Sequence, residues 1–473
     1  MLNLADVFEA LTHTRPTNVN QVISEGCIDS RMAIPGSLFV AMPGEKVNGH
    51  EYISDAFKHG SSVALVQEDV SASYPVIDLR SGVLPAGLTL PDAPFCIRLD
   101  NSLSGLQTIA KFWRAQLNLR VIGITGSVGK STTKELVSEV LCMRYRTLRN
   151  PGNLNNEIGL PLTVLRLGPG YERAVLEMGF YVPGEIAFLC EIAKPQVGVV
   201  TNIGTVHAER AGSQEVIARG KAELIRSLPA APTGTAILNY DDPWVRDMAS
   251  LTAANVIFYG LDPKADLWAD QIISDGLEGI QFQLHYHTDS MQLRVPLIGQ
   301  HSVHTALRAA AVGLAEDMTW PEIVTGLRYS HTQLRLVAVH TPNGALLLDD
   351  TYNASPESTL AALNLLADLT GRKVAVLGDM LELGQYEQQG HEKVGVRAAE
   401  VADEVVALGE RSQMITDAAL NSGMESEKVH HFSKIEDVIE YLKTTLKNGD
   451  VALIKGSHGL RMDRIVSALE ADE

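Results

Sequence analysis

Apolar residues recur along this chain in two textures. In the first hundred residues, short apolar runs stand between turn residues: PGSLFVAMPG (35–44) and SSVALVQ (61–67), followed by Pro and Gly clusters from Pro75 to Pro94. The start, MLNLADVFEALTH, carries Asp6 and Glu9 among its apolar positions and reads as a short amphipathic helix, not a signal peptide. Helical spacing at Leu103, Leu106, Ile109, Ala110 and Trp113 sets a first boundary near residue 100.

From there strands are followed by helices. VIGIT (121–125) is a continuous apolar strand, and Leu136, Val140 and Met143 line one face of the helix after it. AVLEMG (174–179), VGVVTNI (197–203) and TAILNY (235–240) are further strands of the buried type. The alternation implies parallel βαβ units with helices on both faces. Ile280, Phe282, Leu284 and Tyr286 then alternate with polar residues. With a turn at Asp289-Ser290, this predicts an antiparallel hairpin beside the main sheet. A helix with Ala306, Leu307, Ala310 and Leu314 closes this region.

After about residue 328 a new series begins: ALLLDDTY (345–352), KVAVLGDM (373–380), EVVALGE (404–410) and DVALIKGS (450–457). Four parallel-type strands predict a doubly wound, Rossmann-like domain with its ligand edge at the strand carboxyl ends, where Asp349, Asp350, Asp379, Lys455 and Ser457 fall. The expected fold is therefore α/β in three domains, 1–100, 101–328 and 329–473, with a parallel sheet and a side hairpin in the middle one.

Charge and cysteine usage narrow the function. Against 39 Lys and Arg stand 57 Asp and Glu, a formal net charge of −18. A protein that tracks nucleic acid by counterion release, or binds an anionic membrane surface, needs the opposite balance. The four cysteines, Cys27, Cys96, Cys142 and Cys190, lie far apart, which argues against a disulfide framework or zinc cluster and fits a reducing cytoplasm. No run approaches the roughly 20 apolar residues of a membrane span. No exposed apolar stripe is evident, so a monomer is expected.

The sharpest motif is VIGIT-GSVGKSTTKELV, a strand, a glycine-bounded turn and a helix beginning at about Lys130. Glycines let backbone N–H groups turn inward, and these donors with the helix N-terminus cradle an anion. Lys130 would neutralise phosphate charge and Ser131 would ligate Mg²⁺. The loop is TGSVGKS, Thr125 to Ser131, shorter than the usual phosphate-loop pattern. Glu177 and His207 follow neighbouring strands. Each is a candidate for completing a magnesium site or for an ordinary strand-end or loop residue. Lys221, within VIARGKAEL, reads from the residues alone as a surface lysine on a helix, and Asp349-Asp350 either holds a ribose or cation or caps the next helix.

Several strings together resemble the Mur ligase family of ATP-dependent amide-forming enzymes in peptidoglycan precursor synthesis. They span nearly the whole chain: DSRMAIPGSLFVAMPGEKVNGH (29–50), TGSVGKSTT (125–133), NPGNLNNEIGLPLTVL (150–165), LEMG (176–179), VTNIGTVHAERAGS (200–213), ARGKAE (218–223), GQH (299–301), LDDTYNASPES (348–358), VLGDMLELG (376–384) and LIKGSHGLRM (453–462). LDDTYNASPES with VLGDMLELG is most similar to the branch that adds D-alanyl-D-alanine to a UDP-N-acetylmuramoyl-tripeptide. A sister ligase adding a single amino acid is the alternative, and a non-catalytic nucleotide-binding paralogue a more distant one.

The resemblance implies roles. Ser30 and Arg31 contact the UDP-sugar in the N-terminal domain. Thr125, Gly126, Ser127, Val128, Gly129, Lys130, Ser131 and Thr132, with His301, hold ATP. Ser131, Glu177 and His207 bind magnesium, and Lys221 is carbamylated by CO₂ to bind a second one. Asn153, Asn155 and Asn156 lie near the nucleotide and the acceptor carboxylate. Arg335 and Asp350 grip the γ-phosphate and ribose, and Tyr352, Asn353 and Lys455 border the dipeptide pocket. The chain departs from the family pattern at Ser302 and Thr305, where asparagines are usual and one typically contacts adenine. It departs also at Asn48, in place of a common Asp, and at Ser355, in place of a second Asn.

Overall fold

The computed structural model describes residues 1–17, 19–44, 47–91, 94–205, 208–328 and 337–470. These residues form three sheets, of five, nine and six strands, each layered with helices. The α/β class and the three-domain layout expected from the sequence are found.

In the N-terminal sheet, strands Gly26–Cys27, Leu38–Val40, Val63–Val66, Phe95–Arg98 and Val76–Asp78 lie in that order, all parallel. Successive side chains take opposite faces. Leu38, Val40, Val63 and Leu65 join the core formed with helices Leu4–Thr12 and Ser102–Ala115, whereas Phe39, Ala41, Ala64 and Val66 meet Ile53 and Ala56 on the other side. The first of these cores continues into the central domain through Leu160, Leu162 and Leu165. That continuity seats the first sheet on the second.

The central sheet is parallel through strands Thr147–Arg149, Arg173–Glu177, Arg120–Thr125, Val197–Val200, Thr235–Asn239, Asn255–Gly260 and Leu267–Ser274. Helices Lys130–Cys142 and Val303–Ala315 cover one face, packing on Ile122, Ile124 and Val199. The hairpin Ile280–Tyr286 and Asp289–Val295 pairs antiparallel with Leu267–Ser274 and so continues the main sheet. Its turn is His287-Thr288, one pair earlier than expected: Tyr286 pairs with Asp289, and His287 takes the left-handed conformation that a two-residue hairpin loop requires.

The C-terminal sheet places strands Val337–His340, Leu346–Asp349, Val451–Lys455, Lys373–Gly378, Glu404–Leu408 and Val429–Phe432 in that order. It exceeds the expected four parallel strands by two. Val429–Phe432 adds a fifth parallel strand, too polar in HH to stand out as one, and Val337–His340 an antiparallel edge. Strand Val451–Lys455 lies between two strands that precede it in the chain. This order brings the loop after Asp349 and the end of the Lys455 strand side by side.

Candidate active site

The strand Arg120–Thr125 delivers the chain to the phosphate loop, and the helix Lys130–Cys142 starts at the expected lysine. Gly126 takes φ +144° and Gly129 φ +81°, and a Cβ at Gly126 would lie 1.8 Å from Thr201 Oγ1. The loop is tied to the exit of the adjacent strand. Asn202 accepts from Ser127 N at 2.9 Å through its carbonyl and from Val128 N at 2.9 Å through its side chain, while Thr201 Oγ1 donates to the Val128 carbonyl at 2.7 Å. Thr125 Oγ1 donates to the Met178 carbonyl at 3.0 Å, which fixes the strand end.

Two lysines converge on one carbonyl. Lys130 Nζ donates to Gly126 O at 2.9 Å and to Ser127 O at 3.2 Å, and Lys221 Nζ donates to the same Gly126 O at 3.0 Å. Lys221 is 1% exposed and lies 4.8 Å from the ring centroid of Phe180, so its reading as a surface lysine does not hold. Burial, then the charge of Lys130, holds its amine well below the ordinary lysine range.

Glu177 closes the strand Arg173–Glu177 beside the loop. Its Oε2 accepts from Ser131 Oγ at 2.6 Å and its Oε1 from Asn155 Nδ2 at 2.8 Å, while Asn150 Oδ1 accepts from its backbone N at 2.9 Å. A carboxylate and a hydroxyl within contact of each other form a hard-oxygen donor pair, the ligand type that suits Mg²⁺. His207 and Arg335 lie outside the described residues.

Two cavities meet at this point. One of about 350 Å³ is lined by the loop from Ser127 to Thr132 and, farther on, by His301, His304, Arg308, Asp350 and Glu357. The other, about 170 Å³, is lined by Asn155, Asn156, Glu177, Phe180, Tyr181 and Glu185. Ser127, Lys130, Tyr352 and Asn353 line both. The walls from Asp350 to Ser358 belong to the C-terminal domain, which roofs the loop.

That roof is held from two sides. Lys455 Nζ, 2% exposed at its side chain, donates to Asp350 Oδ2 at 2.7 Å and to the Asn353 carbonyl at 2.9 Å, fixing the loop that carries Tyr352. Across the domain junction, Thr205 N and Oγ1 each donate to Glu357 Oε1 at 3.3 Å, and Gln385 Nε2 donates to the Gly212 carbonyl at 3.0 Å. Burial lowers the His301 pKa and brings His304 down to about 4, so both imidazoles face the larger cavity uncharged near neutral pH.

Other predicted residues fall elsewhere. Ser30 and Arg31 form a short 3₁₀ turn of the N-terminal domain, line neither cavity, and Arg31 pairs with Asp29 at 2.7 Å. Asn153 lies on the exposed turn before Asn155 and lines neither cavity. Asn156 Oδ1 accepts from Gly159 N at 2.9 Å at the start of a helix. The departures from the family pattern have local uses. Ser302 Oγ donates to Ile298 O at 2.7 Å, and Thr305 Oγ1 accepts from Arg308 at 2.7 Å. Ser355 caps helix Pro356–Asp368 in a reciprocal pair with Ser358, and Asn48 caps a 3₁₀ turn, accepting from His50 N at 3.1 Å.

Sequence reasoning missed Asn150, Asn202, Arg308 and Glu357. Asn150 and Asn202 stand in strings with family character, NPGNLNN and VTNIG, so a signal existed. Glu357 likewise stands in LDDTYNASPES, whereas Arg308 sits on a helix among ordinary neighbours and carried none.

Backbone donors, a lysine and an oxygen-donor pair gathered at the carboxyl edge of a parallel sheet meet the needs of a nucleoside triphosphate, which makes this a multidomain phosphate-loop protein of the nucleotide-binding class. Comparison with known proteins narrows the class. Residues 124–313 match the Mur ligase middle domain, residues 334–458 the Mur ligase glutamate ligase domain, and residues 23–80 the Mur ligase family catalytic domain. The chain belongs to the Mur ligase family. A Bacillus subtilis protein named UDP-N-acetylmuramoyl-tripeptide–D-alanyl-D-alanine ligase is 34% identical over 471 residues, 99% of this chain and 97% of the relative. The crystal structure of MurF from Acinetobacter baumannii superimposes with a TM-score of 0.82 at 29% identity, covering 98% of each chain. That of MurF ligase from Thermotoga maritima in complex with ADP gives 0.77 at 26% identity, covering 94% of this chain and 96% of the other.

Proposed function

We propose that this protein is an ATP-dependent amide ligase that joins D-alanyl-D-alanine to UDP-N-acetylmuramoyl-tripeptide, giving the pentapeptide, ADP and phosphate in cytoplasmic peptidoglycan precursor synthesis. The observation that carries this reading is the pair of cavities sharing Lys130. A nucleotide in the larger cavity and a peptide carboxylate in the smaller one would meet at a single ammonium group.

The chemistry needs that meeting. A carboxylate has no good leaving group, so its oxygen first attacks the γ-phosphorus; the bond to the β-phosphate oxygen breaks and ADP leaves. The dipeptide amine then attacks the acyl phosphate carbon, loses a proton, and phosphate departs with the C–O electron pair. The first step brings two anions together, and Lys130 offsets their repulsion. Ser131, Glu177 and His207 would hold magnesium, which would add to the neutralisation of the phosphates. Asn155, through Glu177, fixes the wall between nucleotide and acceptor. Tyr352, Asn353 and Lys455 border the dipeptide site, and Arg335 and Asp350 bring the C-terminal domain onto the nucleotide, excluding water from a hydrolysable intermediate.

In this reading residues 1–100 carry the UDP-sugar site with Ser30 and Arg31, residues 101–328 the ATP site, and residues 329–473 the closing domain. A monomer is the expected state. Lys221, whose burial lowers the pKa of its amine, would in its neutral form offer a lone pair to CO₂: an N–C bond would form, one C–O π pair become a carboxylate, and the amine proton pass to solvent. The carbamate would be a second anionic ligand at the loop.

Phosphate release from ATP with UDP-N-acetylmuramoyl-tripeptide, with and without D-alanyl-D-alanine, tests the proposal. Release that needs both, with a pentapeptide product by mass, supports it. Release with single amino acids but not the dipeptide moves the protein to a sister ligase, and ATP binding without turnover on any set overturns the enzymatic reading.

A further inference from the structure

Among the described residues, buried arginines and carboxylates mostly meet an opposite charge or several carbonyls, and Arg308 does not. Glu316 lies between Arg120 at 2.9 Å and Arg173 at 2.5 Å. Arg114, 4% exposed, donates to three carbonyls, of Ala193, Leu117 and Leu119, at 2.8, 3.0 and 3.1 Å. Lys134 donates to the carbonyls of Asn150 and Gly152 at 2.8 and 3.0 Å. Arg308 is buried to the same degree, 4% exposed, in the middle of the helix Val303–Ala315. Its Nη2 donates to Thr305 Oγ1 at 2.7 Å and its Nη1 reaches the Tyr259 hydroxyl at 3.4 Å, but its Nε has no acceptor among the described residues. No carboxylate of the described residues forms an ion pair with it. The nearby Asp241 is already engaged: it accepts from Leu261 N at 2.7 Å and Asp262 N at 3.1 Å, and it faces His304 at 3.7 Å.

The guanidinium also has a definite place. Arg308 lines the larger cavity, and its Nη2 lies 3.4 Å from where a side chain at Gly129 would begin. Gly129 is the cap residue of the phosphate-loop helix. A buried cation satisfied by two neutral hydroxyls is costly, and the cost is recovered when an anion arrives with oxygens in the plane of the guanidinium fork.

We propose that Arg308 is a further ligand for the phosphate chain of the bound nucleotide, a counter-charge supplied by the helix Val303–Ala315 in addition to Lys130. This rests on the nucleotide reading of the larger cavity. The sequence gives no hint of it, because an arginine between Leu307 and Ala309 on a helix reads as a solvent-facing charge. Two departures from the family pattern, Ser302 and Thr305, flank the same turn, and Thr305 supplies the hydroxyl that orients the guanidinium.

Binding of Mg-ADP and of adenosine by the full chain, measured calorimetrically for wild type, R308M and R308K, tests the proposal, with thermal unfolding of each nucleotide-free protein alongside. R308M is expected to weaken ADP about tenfold or more, to leave adenosine binding unchanged, and to unfold at the same or a higher temperature without nucleotide, since it removes an unmatched buried charge. R308K, keeping a charge without the fork, is expected to fall between. ADP affinity unchanged in folded R308M overturns the proposal. Equal loss for ADP and adenosine also overturns it, because the residue would then serve base or ribose. A wild-type chain that binds no ADP would instead overturn the nucleotide reading itself.

Discussion

Lys130 and Lys221, from different helices, donate to the same acceptor, the carbonyl oxygen of Gly126, at 2.9 and 3.0 Å. Two ammonium groups so placed cannot both carry full charge cheaply. Burial and the charge of Lys130 lower the pKa of Lys221, the fully buried one, and make it the easier of the two to deprotonate.

A pH dependence of stability follows from that pair. Lys221 has a pKa well below 10.5 when folded and near 10.5 when unfolded, so between those values the unfolded chain binds a proton the folded chain does not. Stability contributed at this site therefore rises with pH across that window. In K221M the penalty is absent and Gly126 O keeps Lys130 as donor. The variant is expected to melt at a higher temperature than wild type at pH 7, with the gap narrowing as pH approaches 10. A gap constant with pH would show that Lys221 is not uncharged when folded. Ligase turnover in K221M is expected to be lost.

Glu177 holds Ser131 and Asn155 at once. E177A is expected to lower phosphate release about 100-fold or more, by analogy with losing one charge-stabilising group, and to raise the magnesium concentration needed for half-maximal rate. K130A is expected to lose a similar factor while keeping its melting temperature within a few degrees. Near-wild-type turnover in K130A would remove the phosphate loop from the mechanism.

Gly126 leaves no room for a side chain, because its φ is +144° and a Cβ would sit 1.8 Å from Thr201 Oγ1. G126A is expected to cost roughly 2 kcal/mol or more in a denaturant titration and to abolish nucleotide binding. The added methyl would push the loop away from the Thr201 and Asn202 tethers.

Glu357 crosses from the C-terminal domain to Thr205 at the edge of the nucleotide cavity. The exposed hydrogen bonds it makes contribute about 1 kcal/mol or less to stability, so E357A is expected to leave the melting temperature nearly unchanged. Its effect is expected in KM for ATP, a rise of about three- to tenfold, with kcat less affected. Unchanged KM in a folded variant would show that this contact does not hold the roof closed.

Much of this protein was legible in the residues. The alternation of apolar strands and helical spacing determined the α/β class, and TGSVGKS determined the strand, turn and helix of the phosphate loop, because each rests on neighbours within a few positions. The hairpin was legible too, although its turn was displaced by one pair, since alternation sets the face of a strand but not where its loop begins.

Tertiary structure alone decided the rest. Helical periodicity marks a face without telling what covers it, so Lys221 read as a surface charge and Arg308 passed unnoticed until Phe180, the phosphate loop and Tyr259 closed over them. Sheet order, not sequence distance, brought Lys455 to Asp350 across 105 residues and Ser131 to Glu177 across 46. The strands between them could have been ordered otherwise with the same local pattern. Local chemistry thus determined which groups can bind phosphate, and the packing of three sheets decided which of them face one another, which lose their water, and so which carry a proton.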